Sequence, residues 1–257
     1  FYKNYIYSCK YIDIPIDFLI DNIKKKHNYT YLRIGDGEQF CIQSSKSNTN
    51  NSFNKNGCNF STKGLADSLL NILNDESIVN SNNIFIAWNP SVIRNRYDCY
   101  TVFKREFSNP NMKYLVDHTA MIRKLIDDKV YFKNFIGGLN SKKIILYVGP
   151  EYMNNNKNPI KFTSFIEIPK KNCFDHRENI YKNIESILED DCLIIYSGGL
   201  GIKYVIYKIY KNYGTKVTQI DLGSVIDPFF DLWSRGTYKK NMDKIKETIC
   251  FVGKNKM

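Results

Sequence analysis

No apolar run in this chain approaches the ~20 residues needed to span a bilayer, so no transmembrane segment is expected. The first residues carry no secretory leader pattern. Seven cysteines (Cys9, Cys41, Cys58, Cys99, Cys173, Cys192, Cys250) include no C-x-x-C pair. Their odd number and open spacing argue against a zinc knuckle and against a disulfide framework. Reduced thiols in the cytoplasm are expected, with the chain free or at a membrane surface. There is no internal repeat, no G-x-G-x-x-G and no recognised nucleic-acid motif. The chain opens at Phe1 rather than Met. It is therefore expected to be a domain excised from a longer protein, with flanking domains.

What is present is a globular composition. Hydrophobic residues make up 43% of 257 positions, enough for a large core and for one α/β domain over 1–257. The formal net charge is +11, with lysines concentrated in a basic tail at 238–257. The heavy use of Asn, Lys, Ile and Tyr fits an AT-rich coding bias, which accounts for part of that charge. A basic chain still favours anionic partners such as nucleotides, phosphorylated sugars, nucleic acid or an acidic membrane surface.

Hydrophobic spacing predicts a helix over 12–27, with Ile16, Leu19, Ile20 and Ile23 on one face. A strand is predicted at 30–34. Residues 44–62, rich in Ser and Asn, read as a mobile loop, either a lid or a surface insertion. Leu65, Leu69, Leu70 and Leu73 predict a helix over 64–73. Strands are predicted at 83–88, 143–148, 165–168, 192–196 and 217–222, and helices at 179–188 and from 202 through Tyr213, capped by Gly214. The segment 91–135 reads as mostly helical. Apolar strands alternating with helices predict a Rossmann-like α/β fold: a mostly parallel sheet with helices on both faces.

Two loops carry chemistry. In Arg33-Ile34-Gly35-Asp36-Gly37-Glu38 a strand runs into a glycine-flanked turn bearing two carboxylates. If the turn is extended, Asp36 and Glu38 at i and i+2 point the same way, and Gly35 and Gly37 admit a ligand close to the backbone. Two hard oxygen ligands at a strand end suit Mn²⁺ or Mg²⁺. The same tripeptide is also a common solvated turn. Ser197-Gly198-Gly199-Leu200-Gly201 lies between a strand and a helix, where free N–H groups form an anion site. Glycines there also serve tight packing. With Asp221 to Asp227, both loops follow strand ends and are expected on one edge of the sheet.

The order of these pieces resembles the GT-D class of glycosyltransferases, once described as a bacterial domain of unknown function. Arg33-x-Gly35-Asp36-Gly37-Glu38 is similar to its R-[YF]-G-D-G-E signature, and Lys171-Asn172-Cys173-Phe174 to its K-N-A-F segment. Ser197 to Gly201 stands where the family has L-G-P-T-A. Asp221 to Asp227 resembles its D-I-G-H-I-D ending, and Trp233 falls near a tryptophan of that terminal motif. Together these pieces span about 12–235. Ser224 stands in place of the family histidine, and the L-G-P-T-A loop is glycine-rich here. The resemblance implies metal-dependent transfer from a nucleotide-diphosphate sugar, a UDP-sugar first among them, to a hydroxyl of a glycan or glycoprotein, with Asp36 and Glu38 at the metal.

On that reading the metal neutralises the leaving diphosphate and the amides of 198–201 act like an oxyanion hole. Arg33, Lys171, Asn172, Ser197 and Ser224 are expected at the nucleotide-sugar, together with Asp221. Inversion at the anomeric carbon needs a general base, with Asp227 first and His118 second. His118 also reads as an ordinary helix histidine, and His27 and His176 as surface residues. Nucleic acid is not expected as a partner, because Asp243 and Glu247 interrupt the basic tail. The alternative is a catalytically degenerate Rossmann-like module that binds nucleotide or nucleic acid.

Overall fold

The computed structural model describes residues 17–35, 37–38, 41–42, 54–55, 58–59, 64–79, 81–88, 115–117 and 119–253. Helix α1 (Phe18–Lys24) falls within the expected 12–27 and buries Leu19, Ile20 and Ile23. Ile16 lies outside the described residues. Strand β1 (Thr30–Ile34) is buried at every position. Two-residue strands β2 (Asn54–Lys55) and β3 (Cys58–Asn59) pair antiparallel, so this part of the expected 44–62 loop is a hairpin, and the rest of it lies outside the described residues.

Helices α2 (Leu65–Asn74) and α3 (Glu76–Val79) lead to β4 (Ile84–Trp88). The expected helical stretch 91–135 is corrected at Leu115–Asp117, which forms strand β5 beside β4. Three residues are too few for a period to register, and tertiary pairing decides their state. Helices α4 (Ala120–Asp127) and α5 (Lys129–Asn140) follow, with Asp128 capping α5 by accepting from Tyr131 N–H at 2.9 Å. Then come β6 (Ile145–Gly149), β7 (Ser164–Glu167), α6 (Arg177–Glu185), β8 (Leu193–Tyr196), α7 (Ile202–Tyr213) and β9 (Thr218–Asp221). Gly214 ends α7 with φ of 55°.

Seven strands form one sheet in the order β5-β4-β1-β9-β8-β6-β7, and every pairing within it is parallel. The expected α/β class is therefore present, with no antiparallel strand in that sheet. Alternation along the strands splits the core in two. Leu32, Ile34, Ile86, Val148 and Tyr196 pack with α2, α6 and α7 on one face. Tyr31, Phe85, Tyr147, Ile195 and Ile220 pack with α1, α4, α5 and the C-terminal helix on the other. Both faces being covered explains why the strands read as unbroken apolar runs.

Within 238–257, the stretch expected to be a basic tail, residues up to 253 are described and are largely helical. Helices α8 (Gly236–Lys240) and α9 (Met242–Gly253) complete the fold, and α9 lies against α4 and α5. Ile245 is fully buried, with Ile249 and Val252 packed behind it at helical spacing. Full burial of Ile245 is worth roughly 1.5–3 kcal/mol.

Candidate functional site

The carboxyl ends of β1, β6, β8 and β9 open into one cleft of about 1180 Å³. It is the place where an open parallel sheet takes its ligands. Of the sequence-predicted residues, Arg33, Gly35, Gly37, Glu38, Lys171, Asn172, Ser197, Gly198, Gly199, Ser224 and Asp227 line it. Four segments separated by up to about 190 positions thus converge, as the strand-end argument expects. Asp36 and His118 lie outside the described residues.

The β1 loop departs from its expected geometry. Residues 37–38 are helical rather than extended. Glu38 instead folds back: its Oε2 accepts from Gly35 N–H at 2.8 Å, and its Oε1 lies 3.5 Å from Lys203 Nζ. Lys203, in the first turn of α7, is 3% exposed and also donates to Asp221 Oδ2. The same Asp221 oxygen accepts from Arg33 N–H at 3.2 Å. Arg33 Nη1 donates to the Leu222 carbonyl. Gly223, at φ of 55°, keeps this route open, since a Cβ there would strike Arg33 Nη1. Two cations and two carboxylates thus form a neutral buried cluster beneath the cleft. Asp221 belongs to this foundation and does not line the cleft.

The glycine loop is equally built in. Gly199 has φ of 64°. A Cβ on Gly201 would strike the Phe174 backbone nitrogen and come within 2.8 Å of Cys173 Sγ. Gly201 is therefore required by packing against the Lys171-to-Phe174 segment and does not line the cleft. Cys173 Sγ donates to the Gly198 carbonyl at 2.9 Å, tying the two segments together. Ser197 is fixed by Tyr147, whose hydroxyl lies 2.8 Å from its Oγ. Burial pushes the Tyr147 hydroxyl well above its ordinary range.

Asp227 stands on the opposite wall, 6% exposed, in the turn after β9. Burial pushes its carboxyl up to about 6, against the hydrogen bond from Ser234 and the charges of Arg235 and Arg33, which pull it down. Ser234 Oγ donates to Asp227 Oδ2 at 2.6 Å. Arg235 Nε donates to Ser224 Oγ at 2.6 Å, so Ser224 anchors an arginine here. Tyr152 and Trp233 line the same wall and offer aromatic faces. Burial beside Asp227 raises the Tyr152 hydroxyl to about 12.

Among the described residues, six cations line the cleft (Arg33, Arg123, Lys170, Lys171, Lys203, Arg235) against two carboxylates, Glu38 and Asp227. That balance favours a ligand carrying several negative charges. Sequence reasoning missed Lys203, Arg123, Tyr152, Ser234 and Arg235. Lys203 did carry a signal: a cation in the first turn of a helix opposes the macrodipole unless carboxylates meet it.

The described residues do not make a metal site. No three His, Cys, Asp or Glu side chains among them gather to hold an ion. Both Glu38 oxygens are engaged, and an ammonium stands between Glu38 and Asp221. Among the described residues the tail lysines form no continuous basic face: Asp243 and Glu247 interrupt them on α9, and Lys244 pairs with Asp127 at 3.1 Å. No helix of the described residues is long and apolar enough to cross a membrane. Comparison of the chain with family models, with curated proteins and with solved structures finds no match.

Proposed function

We propose that this chain is a glycosyltransferase that moves a sugar from a nucleotide-diphosphate donor, a UDP-sugar in the first instance, to an acceptor hydroxyl on a glycan or glycoprotein. One observation carries the reading: the segments that resemble the GT-D signatures converge on a single cation-rich cleft with a buried carboxylate of raised pKa on its wall.

The chemistry follows from that arrangement. The diphosphate lies against the start of α7, where the N–H groups after Ser197 and the positive helix end favour an anion. Lys171 and Arg123 add charge from the rim. Tyr152 and Trp233 supply stacking faces for base or sugar. Direct displacement forms a bond from the acceptor oxygen to the anomeric carbon and breaks the bond from that carbon to the diphosphate oxygen. The configuration at the anomeric carbon inverts. Asp227 takes the acceptor's proton, and a carboxyl held near 6 is ionised yet basic at neutral pH. The leaving diphosphate keeps the electron pair, and the cations around it stabilise that charge.

A thermal-shift panel of UDP, GDP, CDP and dTDP tests this. One nucleotide is expected to stabilise the protein, by about 2.7 kcal/mol at a hundredfold excess over Kd. Lys171→Ala, a substitution at an exposed position, is expected to weaken that effect without unfolding the chain. No stabilisation by any of the four would overturn the reading.

A further inference from the structure

We propose that Lys203 is the resident cation of this cleft, and that nucleoside-diphosphate binding here needs no divalent metal. The inference rests on the transferase reading above and names how that site handles charge.

The argument starts from placement. Lys203 is almost wholly buried in the first turn of α7, where the helix end is itself positive. A buried ammonium at that position is tenable only when carboxylates compensate it. Two do, and they come from different strand ends: Asp221 from β9 and Glu38 from the loop after β1. Cross-linking carboxylates of two loops beneath a phosphate-binding helix start is the work a divalent ion would otherwise do. The ammonium already does it.

The oxygens are also committed. Glu38 Oε2 holds Gly35 N–H, and Asp221 Oδ2 is shared by Lys203 and Arg33 N–H. Among the described residues, and with Arg33 included, the cluster sums to zero charge. A divalent ion placed between the same carboxylates would meet the ammonium and be repelled by it. A diphosphate arriving from the cleft meets the opposite situation. Lys203 lines the cleft, and its ammonium has three donors, two directions of which face Glu38 and Asp221. Lys170 and Lys171 line the same cleft. Lys203 is thus a contact to the donor's phosphate as well as the clasp between β1 and β9.

The decisive measurement is titration calorimetry of the four nucleoside diphosphates on the full chain, in EDTA and in excess Mn²⁺. The nucleotide that binds is expected to do so in EDTA within about threefold of its affinity in Mn²⁺. Affinity at least about tenfold weaker in EDTA would overturn the role of Lys203 and leave the transferase reading standing. No binding in either buffer would overturn both. Lys203→Arg is expected to keep binding in EDTA, whereas Lys203→Met is expected to bind only with Mn²⁺, because the freed carboxylates can then take a metal. A Lys203→Met protein that folds by circular dichroism and still binds in EDTA like wild type would also overturn the proposal. If that variant does not fold, the wild-type comparison in EDTA decides.

Discussion

Asp221, Asp227 and Asp231 lie within eleven positions of one another on the way out of β9, yet the fold uses them in three ways. Asp221 is fully buried and held by a lysine and a backbone N–H. Asp227 is nearly as buried, but it accepts a hydrogen bond from a serine hydroxyl. Asp231 is exposed and pairs with Lys157 at 2.9 Å. The first sits at the end of the central strand and is part of the structure's clasp. The second lines the cleft. The third is solvated. Burial raises the Asp227 carboxyl even against the pull of Arg235 and Arg33, whereas Lys203 bonds Asp221 directly.

Four substitutions break or sharpen that contrast. The largest effect belongs to Asp221→Ala. It leaves Lys203 with one partner and Arg33 N–H without its acceptor, so stability should fall by about 3–5 kcal/mol in denaturant unfolding. A loss below about 1 kcal/mol would remove Asp221 from the clasp.

Asp227→Asn should act on rate more than on fold, lowering kcat by about a hundredfold or more. The wild-type profile of kcat/KM should rise with pH and level off above a midpoint of about 6. Stability has the opposite slope. Folded Asp227 holds its proton to higher pH than the unfolded chain does, so wild type should lose about 2–3 kcal/mol as pH rises through about 4 to 6 and then stay level. The asparagine variant should lack that slope, and urea midpoints at about pH 4 and about pH 7, at the two ends of the window, would show it.

Ser234→Ala removes the hydrogen bond that lowers the Asp227 pKa. The rate midpoint should move up by less than about one unit, with about 1 kcal/mol or less lost in stability. A downward movement would mean that the serine does not hold the ionised form. Smallest is Asp231→Asn. Asparagine accepts the positive φ at this position, and an exposed ion pair is worth little, so the change should stay within about 0.5 kcal/mol and leave turnover alone.

The strands were legible because a sheet covered on both faces writes them as apolar runs; Ile145 to Val148 and Leu193 to Tyr196 are examples. β5 was not, since three residues at a sheet edge leave no period. The helix at the tail went unassigned because its lysines drown the spacing of Ile245, Ile249 and Val252. At the site, Arg33, Glu38, Ser197 and Asp227 were found through turn chemistry at strand ends. Lys203 was passed over because a lysine among Ile202, Tyr204 and Val205 looks like one solvated position on an amphipathic helix. Its partners lie 18 and 165 positions away, beyond what local spacing records.

The strand order has a consequence for how the molecule comes into being. β9 lies between β1 and β8, so it is the seam that joins β5-β4-β1 to β8-β6-β7. The Arg33–Asp221 hydrogen bond spans 188 positions. Until β9 has been synthesised, the two halves of the sheet have unpaired edges facing each other, and Lys203 lacks Asp221. Closure of so long a loop is slow and leaves those edges open to misassembly in the meantime. The cleft is therefore complete only in a chain that has already closed its sheet.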